Sequence, residues 1–417
     1  MHTFTALFIA AVILSVTLQL WLSARQSRFV GQHREQVPDD FSQSISLDEH
    51  KKAADYTLAQ LKLGKRELGY ETLLLLLWTL GGGLSLLDHG IGTLGWSEIT
   101  TGVAFLIGFS LIGGLLALPF SLYRTFRLEA RFGFNRTTMQ TFVTDIIKNT
   151  LLSLIIGVPF IYLVLWMMDS MGSLWWLYVW MAYMGLSLTM FWLYPSVIAP
   201  LFNKFSPLAD ETLKARIEAL LSRCGFTSQG IFIMDGSRRS AHGNAYFTGM
   251  GKNKRIVFFD TLTNSLDHDE VEAVLAHELG HFRRKHISKR MLLMALTTLL
   301  GLAVLGWLIQ APWFYTALGA EQVSNHMALV LFMLISPVFT FLFTPVFSAY
   351  SRKHEFEADE FAAHNSDANK LITALVKMYQ ENASTLTPDP IYSAFYHSHP
   401  PAPIRIQHLR TVGATEA

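Results

Sequence analysis

Seven stretches of this 417-residue chain contain no Asp, Glu, Lys or Arg and are rich in Leu, Phe, Trp and Met: 3–24, 72–87, 99–123, 149–168, 170–203, 291–311 and 326–350. A helix needs roughly 20 apolar residues to cross the hydrocarbon core, and within the bilayer it must satisfy its own backbone polar groups. The pattern restricts the chain to an all-α integral-membrane fold with seven spans, the fifth over about 170–200. The second stretch is the shortest. Asp88 closes it early and Gly81-Gly82-Gly83 interrupts it, so it reads as a short or broken span lining a cavity. Residues 3–24 look like a secretory signal but lack a basic start. They run into Arg25 and Arg28 without a small-residue cleavage site, which favours a retained anchor.

Loop charge supplies an independent test of the count. Segment 23–69 holds eight Lys and Arg, 88–98 none, 124–148 five, 169–173 none, 312–325 none and the tail from 350 six, while 204–290 is strongly basic. Basic and neutral loops alternate without a break, as seven spans require. The positive-inside rule then places the N-terminus outside and the C-terminus in the cytoplasm. Segments 204–290 and 351–417 consequently share the cytoplasmic side. The polar stretch 39–67 reads as a helix-prone linker with a solvated face. Trp175, Trp176 and Trp180 read as an interfacial belt at the outer surface.

A net charge of +1 gives no global attraction to nucleic acid, and no nucleic-acid-binding module is visible. Cys224 is the only cysteine, which excludes an intramolecular disulfide and a cysteine-rich metal cluster.

The chemistry sits in His277-Glu278-Leu279-Gly280-His281. Asp267 or Asp269 can cap a helix over about 270–284, in which Val271, Val274 and Leu275 repeat at helical spacing. Histidines four apart project from one face and can bind one ion. Glu278, offset by about 100°, can reach a metal-bound water without ligating. Zinc lowers the pKa of that water, and the carboxylate carries its proton to the leaving amine. The bland alternative is two helix histidines near a membrane surface.

A catalytic zinc needs a third protein ligand. Segment 351–364 follows the seventh span back to the catalytic side and offers His354, Glu355, Glu357 and Asp359. Spacing leaves all four open, against the commoner meaning of such a run, a charged juxtamembrane helix. Glu355 and Asp359 share a face, which allows one to ligate and the other to hold a ligand histidine. His286 lies off the ligand face and reads as an interfacial residue; His397 and His408 read as solvated tail groups.

The HELGH motif followed by Ser351-Arg352 and Glu355-Phe356-Glu357-Ala358-Asp359 resembles the type I CaaX prenyl endopeptidases, integral-membrane zinc proteases of the gluzincin kind. Arg131-Phe132-Gly133-Phe134-Asn135 is similar to the family's FGFN box. Residues 235–247, from Asp235 to Phe247, are similar to its DGSxRSxHxNAYF stretch, and His399-Pro400-Pro401 through Arg405 to its HPPxxxR tail. The resemblance implies one zinc ion per chain, with Glu355 as third ligand and Asp359 supporting a ligand from behind. It implies that Asn244, His399 and Arg405 contact the substrate backbone or the developing oxyanion. It also implies a barrel of seven helices around a large chamber with the zinc near its cytoplasmic end. Residues 245–247 and 255–259 alternate around 249–254 as a hairpin, whose edge at Ala245 and Tyr246 can pair with an extended peptide.

Two regions follow. Residues 1–200 hold spans one to five and a cytoplasmic loop over 25–69. Residues 201–417 form a gluzincin-like protease region with a small β-hairpin or sheet, the HExxH helix at 270–284, spans at 291–311 and 326–350, and a catalytic segment at 351–410. Short loops and a tail without a di-lysine signal favour a bacterial relative in the inner membrane, its catalytic site facing the cytoplasm. The expected partners are the bilayer and a peptide or protein substrate, prenylated or not, since a lipidated tail partitions into hydrocarbon. The competing readings are a quality-control zinc protease of the heat-shock type and a metal-binding seven-helix transporter or receptor. The latter has no use for Glu278.

Overall fold

The computed structural model describes residues 2–248 and 255–414. Among them, six helices are long and apolar enough to cross a membrane, or seven if a pair bent by 52° counts as one span. The bundle begins with α1 (Thr3–Gln32), α2 (Leu47–Trp78), α3 (Gly83–Gly92), α4 (Glu98–Tyr123), α5 (Met139–Ser170) and α6 (Trp175–Leu193). The bent pair is α2 and α3. The break falls at 79–82, where Gly82 takes φ 75°, a left-handed conformation that costs a residue without a Cβ little. The second stretch is thus interrupted at its glycines, as the sequence suggests.

The rest of the chain alternates long apolar helices with a small sheet and shorter helices. A four-stranded sheet comprises β1 (Phe205–Pro207), β2 (Ile231–Met234), β3 (Ala245–Thr248) and β4 (Arg255–Phe259), in the order β1-β2-β4-β3. The β2–β4 pair is parallel and the others antiparallel. The expected hairpin strands pair with Ala245 opposite Phe258, while its turn, 249–254, lies outside the described residues. Helix α7 (Glu211–Arg223) covers the sheet, and α8 (His268–Arg283) carries the HExxH motif. Then come α9 (His286–Leu308), α10 (Asn325–Thr340), α11 (Thr344–Asn365), α12 (Ala368–Glu381), α13 (Pro390–Tyr396) and α14 (Ala402–Ala414).

Two cores organise these elements. Phe8, Phe105, Leu165, Trp175, Leu305 and Leu331 are buried where the spans meet. Leu115, Ile155, Leu300 and Val346 point outward with most of their surface exposed, apolar area that a bilayer would cover. The second core joins α7, the sheet, α8, α12 and α14 through Ile217, Phe258, Leu275, Leu279, Leu371 and Leu409.

Two expectations need correction. Segment 25–69 is not a loop with a solvated linker. α1 continues to Gln32, and Ser46 with Glu49 forms a capping box that starts α2 at Leu47. The first half of α2 buries His50, Ala53, Tyr56 and Leu63, so its charged residues line only the outer face. The three tryptophans, expected as a belt at the outer interface, pack on the protein itself. Trp175 is buried, Trp176 packs on Gly306, and Trp180 donates its indole N–H to the Ala295 carbonyl at 2.9 Å, all against or near α9. A buried indole finds an acceptor there as well as at a headgroup.

A cavity of about 1130 Å³ lies between α1, α2, α12 and α13, walled by Gln19, Gln26, Tyr56 and Gln60 on the bundle side and by Asn244, His399 and Arg405 on the other.

Candidate metal centre

Asp267 and Glu270 form the capping box of α8, each side chain accepting from the other residue's backbone N–H. Val271, Val274, Leu275 and Leu279 anchor one face of the helix in the core. The opposite side meets α11 at Gly280. A Cβ added there would lie 2.9 Å from the Ala358 Cα, so only glycine permits this approach. Ala358 sits between Glu355 and Asp359 in the chain, and the crossing carries both carboxylates onto the two histidines.

His277 Nε2 and His281 Nε2 are 3.2 Å apart. Glu355 Oε2 lies 3.5 Å from the first and Oε1 3.4 Å from the second. One ligand atom from each of the three residues can be chosen with all of them within 4.8 Å of one another. Glu355 is 2 % exposed, and its Oε2 has no hydrogen-bond partner. A buried carboxylate oxygen without a donor is costly unless something else satisfies it. Two imidazoles and a carboxylate converging around such an atom fit zinc, whose catalytic sites use this donor set.

The outer nitrogens are held from behind. Asp359 Oδ1 is 2.9 Å from His277 Nδ1 and fully buried. Arg405, 7 % exposed, donates to both oxygens of Asp359, with Nε to Oδ2 at 2.9 Å. Another guanidinium nitrogen lies 3.8 Å from Glu355 Oε2. Burial and the Arg405 charge oppose protonation of His277, yet hydrogen bonds to Asp359 and Glu355 prevail and lift it to about 9. Burial raises the Glu278 carboxyl more than the neighbouring imidazoles lower it, which makes it a stronger base.

The remaining predicted residues fall into distinct places. His399 Nε2 is 3.4 Å from Glu355 Oε1 and its side chain opens to the cavity. Asn244 is exposed to the same cavity, its Oδ1 accepting from the Ala245 N–H at 2.8 Å. β3 is an edge strand: β4 pairs with one side, and no described strand pairs with the other. Ala245 and Phe247 pack on the core, while Tyr246 sets its ring edge-on to Phe259.

Sequence reasoning missed two features and misplaced two others. The contact between Gly280 and Ala358 left no signal beyond two small residues at motif positions. His286 is not interfacial: it is 3 % exposed, with Nδ1 3.0 Å from His281 Nδ1 and Nε2 2.9 Å from Glu357 Oε2. The tail histidines are also less solvated than expected, His397 lining the cavity and His408 standing edge-on to Phe356. The FGFN box likewise has a structural partner. Phe134 stacks on His242 at 4.5 Å and Asn135 bridges to Ser240, tying the end of the third span to the segment that leads into β3.

Known proteins share this arrangement of elements. Residues 26–204 match the family model for the CAAX prenyl protease N-terminal region with five membrane helices, and residues 207–412 match peptidase family M48. The chain is 38 % identical over 317 residues to a CAAX prenyl protease 1 homolog of Arabidopsis thaliana, covering 76 % of this chain and 74 % of that one. It is 30 % identical to the CAAX prenyl protease 1 homolog of Homo sapiens, covering 97 % of this chain and 96 % of that one. The crystal structure of S. mikatae Ste24p superimposes with a TM-score of 0.92 at 31 % identity, over 98 % of this chain and 99 % of that one.

Proposed function

This chain belongs to peptidase family M48 and is a multi-pass membrane metalloendopeptidase; on that premise we propose that it holds one zinc ion on His277, His281 and Glu355 and cleaves near the C-terminus of CaaX-type substrates, prenylated or not. The observation that carries the metal assignment is the unsatisfied, buried Glu355 Oε2 facing two imidazole Nε2 atoms. When bound, zinc acts as a Lewis acid that eases deprotonation of water and polarises a carbonyl.

The chain's own groups divide the remaining work. Glu278 accepts the proton of the attacking water and returns it to the departing amine. The free edge of β3, entered through Asn244, Ala245 and Tyr246, pairs with an extended peptide and brings its carbonyl to the histidines. His399, beside Glu355 and open to the cavity, donates to the carbonyl oxygen as charge develops. Arg405 reaches the same region but is committed to Asp359, so its larger effect runs through the Asp359–His277 pair. The cavity beside the centre accepts the residues on one side of the cut. The loop-charge pattern supports a cytoplasmic catalytic side and, for a bacterial relative, the inner membrane.

The test is cleavage of a CaaX peptide, with and without a farnesyl group, by detergent-purified protein. Wild type, wild type with chelator, and Glu278→Ala are run together. Cleavage lost in both controls supports the zinc reading, and the farnesyl dependence reports whether the lipid is recognised. No cleavage of either peptide by zinc-loaded protein would discard the CaaX substrate and favour the quality-control reading. Protein that binds no zinc would overturn the metal assignment.

A further inference from the structure

The two histidines of the HExxH motif are backed by different groups, and one of these has no part in the mechanism above. We infer that His286 and Glu357 form a positioning relay that fixes the tautomer and ring orientation of His281. This rests on the reading of His281 as a metal ligand.

The proton inventory follows from the contacts. Glu357 Oε2, 2.9 Å from His286 Nε2, belongs to a carboxylate, which only accepts, so His286 Nε2 carries the proton. A neutral imidazole then has its lone pair on Nδ1. That atom is 3.0 Å from His281 Nδ1, which therefore donates. With its proton on Nδ1, His281 presents the Nε2 lone pair to His277 and Glu355. The shorter contact, to His286 at 3.0 Å, favours the tautomer a metal requires over the one that Glu355 Oε1, 3.4 Å from Nε2, would favour in its place.

Backbone and packing hold the relay in place. Lys285, between α8 and α9, takes φ 58°, a left-handed conformation unfavourable for a residue with a side chain. After this turn His286, the first residue of α9, lies beside His281. The His354 ring stacks on His286 at 4.0 Å with an interplanar angle of 8°, and Tyr350 stands edge-on to His354 at 4.3 Å. The stacking on His354 restrains the His286 ring against turning. Glu357 is in turn flanked by Lys289 at 3.8 Å and Lys353 at 3.9 Å.

The consequence is an asymmetric pair of ligands. His277 meets a carboxylate directly, and that carboxylate is neutralised by Arg405. His281 meets its carboxylate through a second imidazole, which transmits orientation but less negative charge. Partners behind metal-binding histidines typically contribute 10- to 100-fold to metal affinity.

The experiment measures zinc affinity of metal-stripped full-length protein in detergent by competition with a chromogenic chelator, with zinc alone as the probe. His286→Leu, which removes the acceptor, is expected to weaken zinc binding by about 10- to 100-fold. In His286→Asn the side-chain oxygen takes the place of Nδ1, and affinity should return to within about threefold of wild type. Rescue by a residue that is neither aromatic nor isosteric separates an acceptor role from ring packing. Wild-type affinity in His286→Leu overturns the relay, as does equal loss in His286→Leu and His286→Asn. If His286→Leu does not fold, Glu357→Ala decides: a fall of about threefold or more supports the relay, and none overturns it. His281→Ala is run alongside. Undiminished zinc affinity there would instead overturn the ligand assignment itself, so the two failures are distinguishable.

Discussion

Buried charge is handled in opposite ways at the two ends of the bundle. At the far end, Asp88 of α3 and His326 of α10 are both nearly inaccessible, joined at 2.8 Å, with Ser324 3.1 Å from the same imidazole nitrogen. Phe105 covers the ring, and a Cβ on Gly102 would lie 3.0 Å from His326 Nδ1. That cluster is closed. About 40 Å away along α10 and α11, by the helical rise, Glu355 retains a buried oxygen without a donor. The far-end pair completes itself from protein atoms, as a structural pair must. The cluster around Glu355 is complete only with something added, and this marks it as a site rather than a clasp.

The comparison can be broken most decisively at Glu278. Glu278→Gln is expected to lower kcat/KM by about 10³-fold, within the range for removing a general base, while bound zinc stays at the wild-type level. Peptide cleavage with elemental analysis of the same sample checks this. A variant that loses metal and activity together would make Glu278 part of the metal cradle.

Arg405→Ala comes next. It strands Asp359 as an uncompensated buried charge, which typically costs about 3–5 kcal/mol, and weakens the hold on His277. Thermal unfolding should show the loss, and zinc should leave at lower chelator concentration. The incomplete end would then prove the more fragile.

Protons should compete with metal at this end. His277 is lifted from 6.5 to about 9, so the metal-free protein holds a proton there at neutral pH. The stability that this proton contributes is complete below the unfolded value of 6.5 and is lost as pH rises through about 9. Zinc must displace it, so zinc affinity should rise by about tenfold per pH unit up to about pH 9. Titration at several pH values tests the slope, and a flat profile would mean that the proton is absent.

The smallest effect belongs to the closed end. Replacing both members, Asp88→Leu with His326→Leu, should shift stability by about 1 kcal/mol or less and leave kcat/KM unchanged, because substituting a whole buried pair by apolar residues is often neutral. His326→Leu alone should be the more damaging variant, since it leaves Asp88 buried and unpaired. A fall in kcat/KM in the double variant would show that the far end communicates with the metal centre.

Several features were legible without coordinates because their causes are local. Long uncharged runs define spans, and the charge interruption at Asp88 with its glycines marks the broken one. A cap at Asp267 or Asp269 and the four-residue spacing of His277 and His281 need only one helix; that Asp267 forms the capping box came from the structure. The polar half of α2 was misread because its pattern, charged residues with interspersed Ala, Leu and Tyr, describes a solvated helix equally well. Only the segment after the third span, where Leu128 and Phe134 bury Tyr56 and Leu63, distinguishes the two. His286 was misread for a similar reason: position on an ideal helix excludes it from the ligand face, but the left-handed turn at Lys285 ends that helix first.

The clearest division concerns the four acidic and imidazole candidates on α11. By itself the sequence determined that they would return to the catalytic side and that Glu355 and Asp359 would share a face, since both follow from the last span and the helical repeat. Which group meets which partner was decided by the crossing of α8 over α11 at Gly280 and Ala358. That contact sets Glu355 against both Nε2 atoms, Asp359 behind His277, Glu357 behind His286 and His354 flat against the His286 ring. Spacing along one helix is a property of its own backbone, whereas the point where two helices touch depends on volumes contributed by residues 78 positions apart.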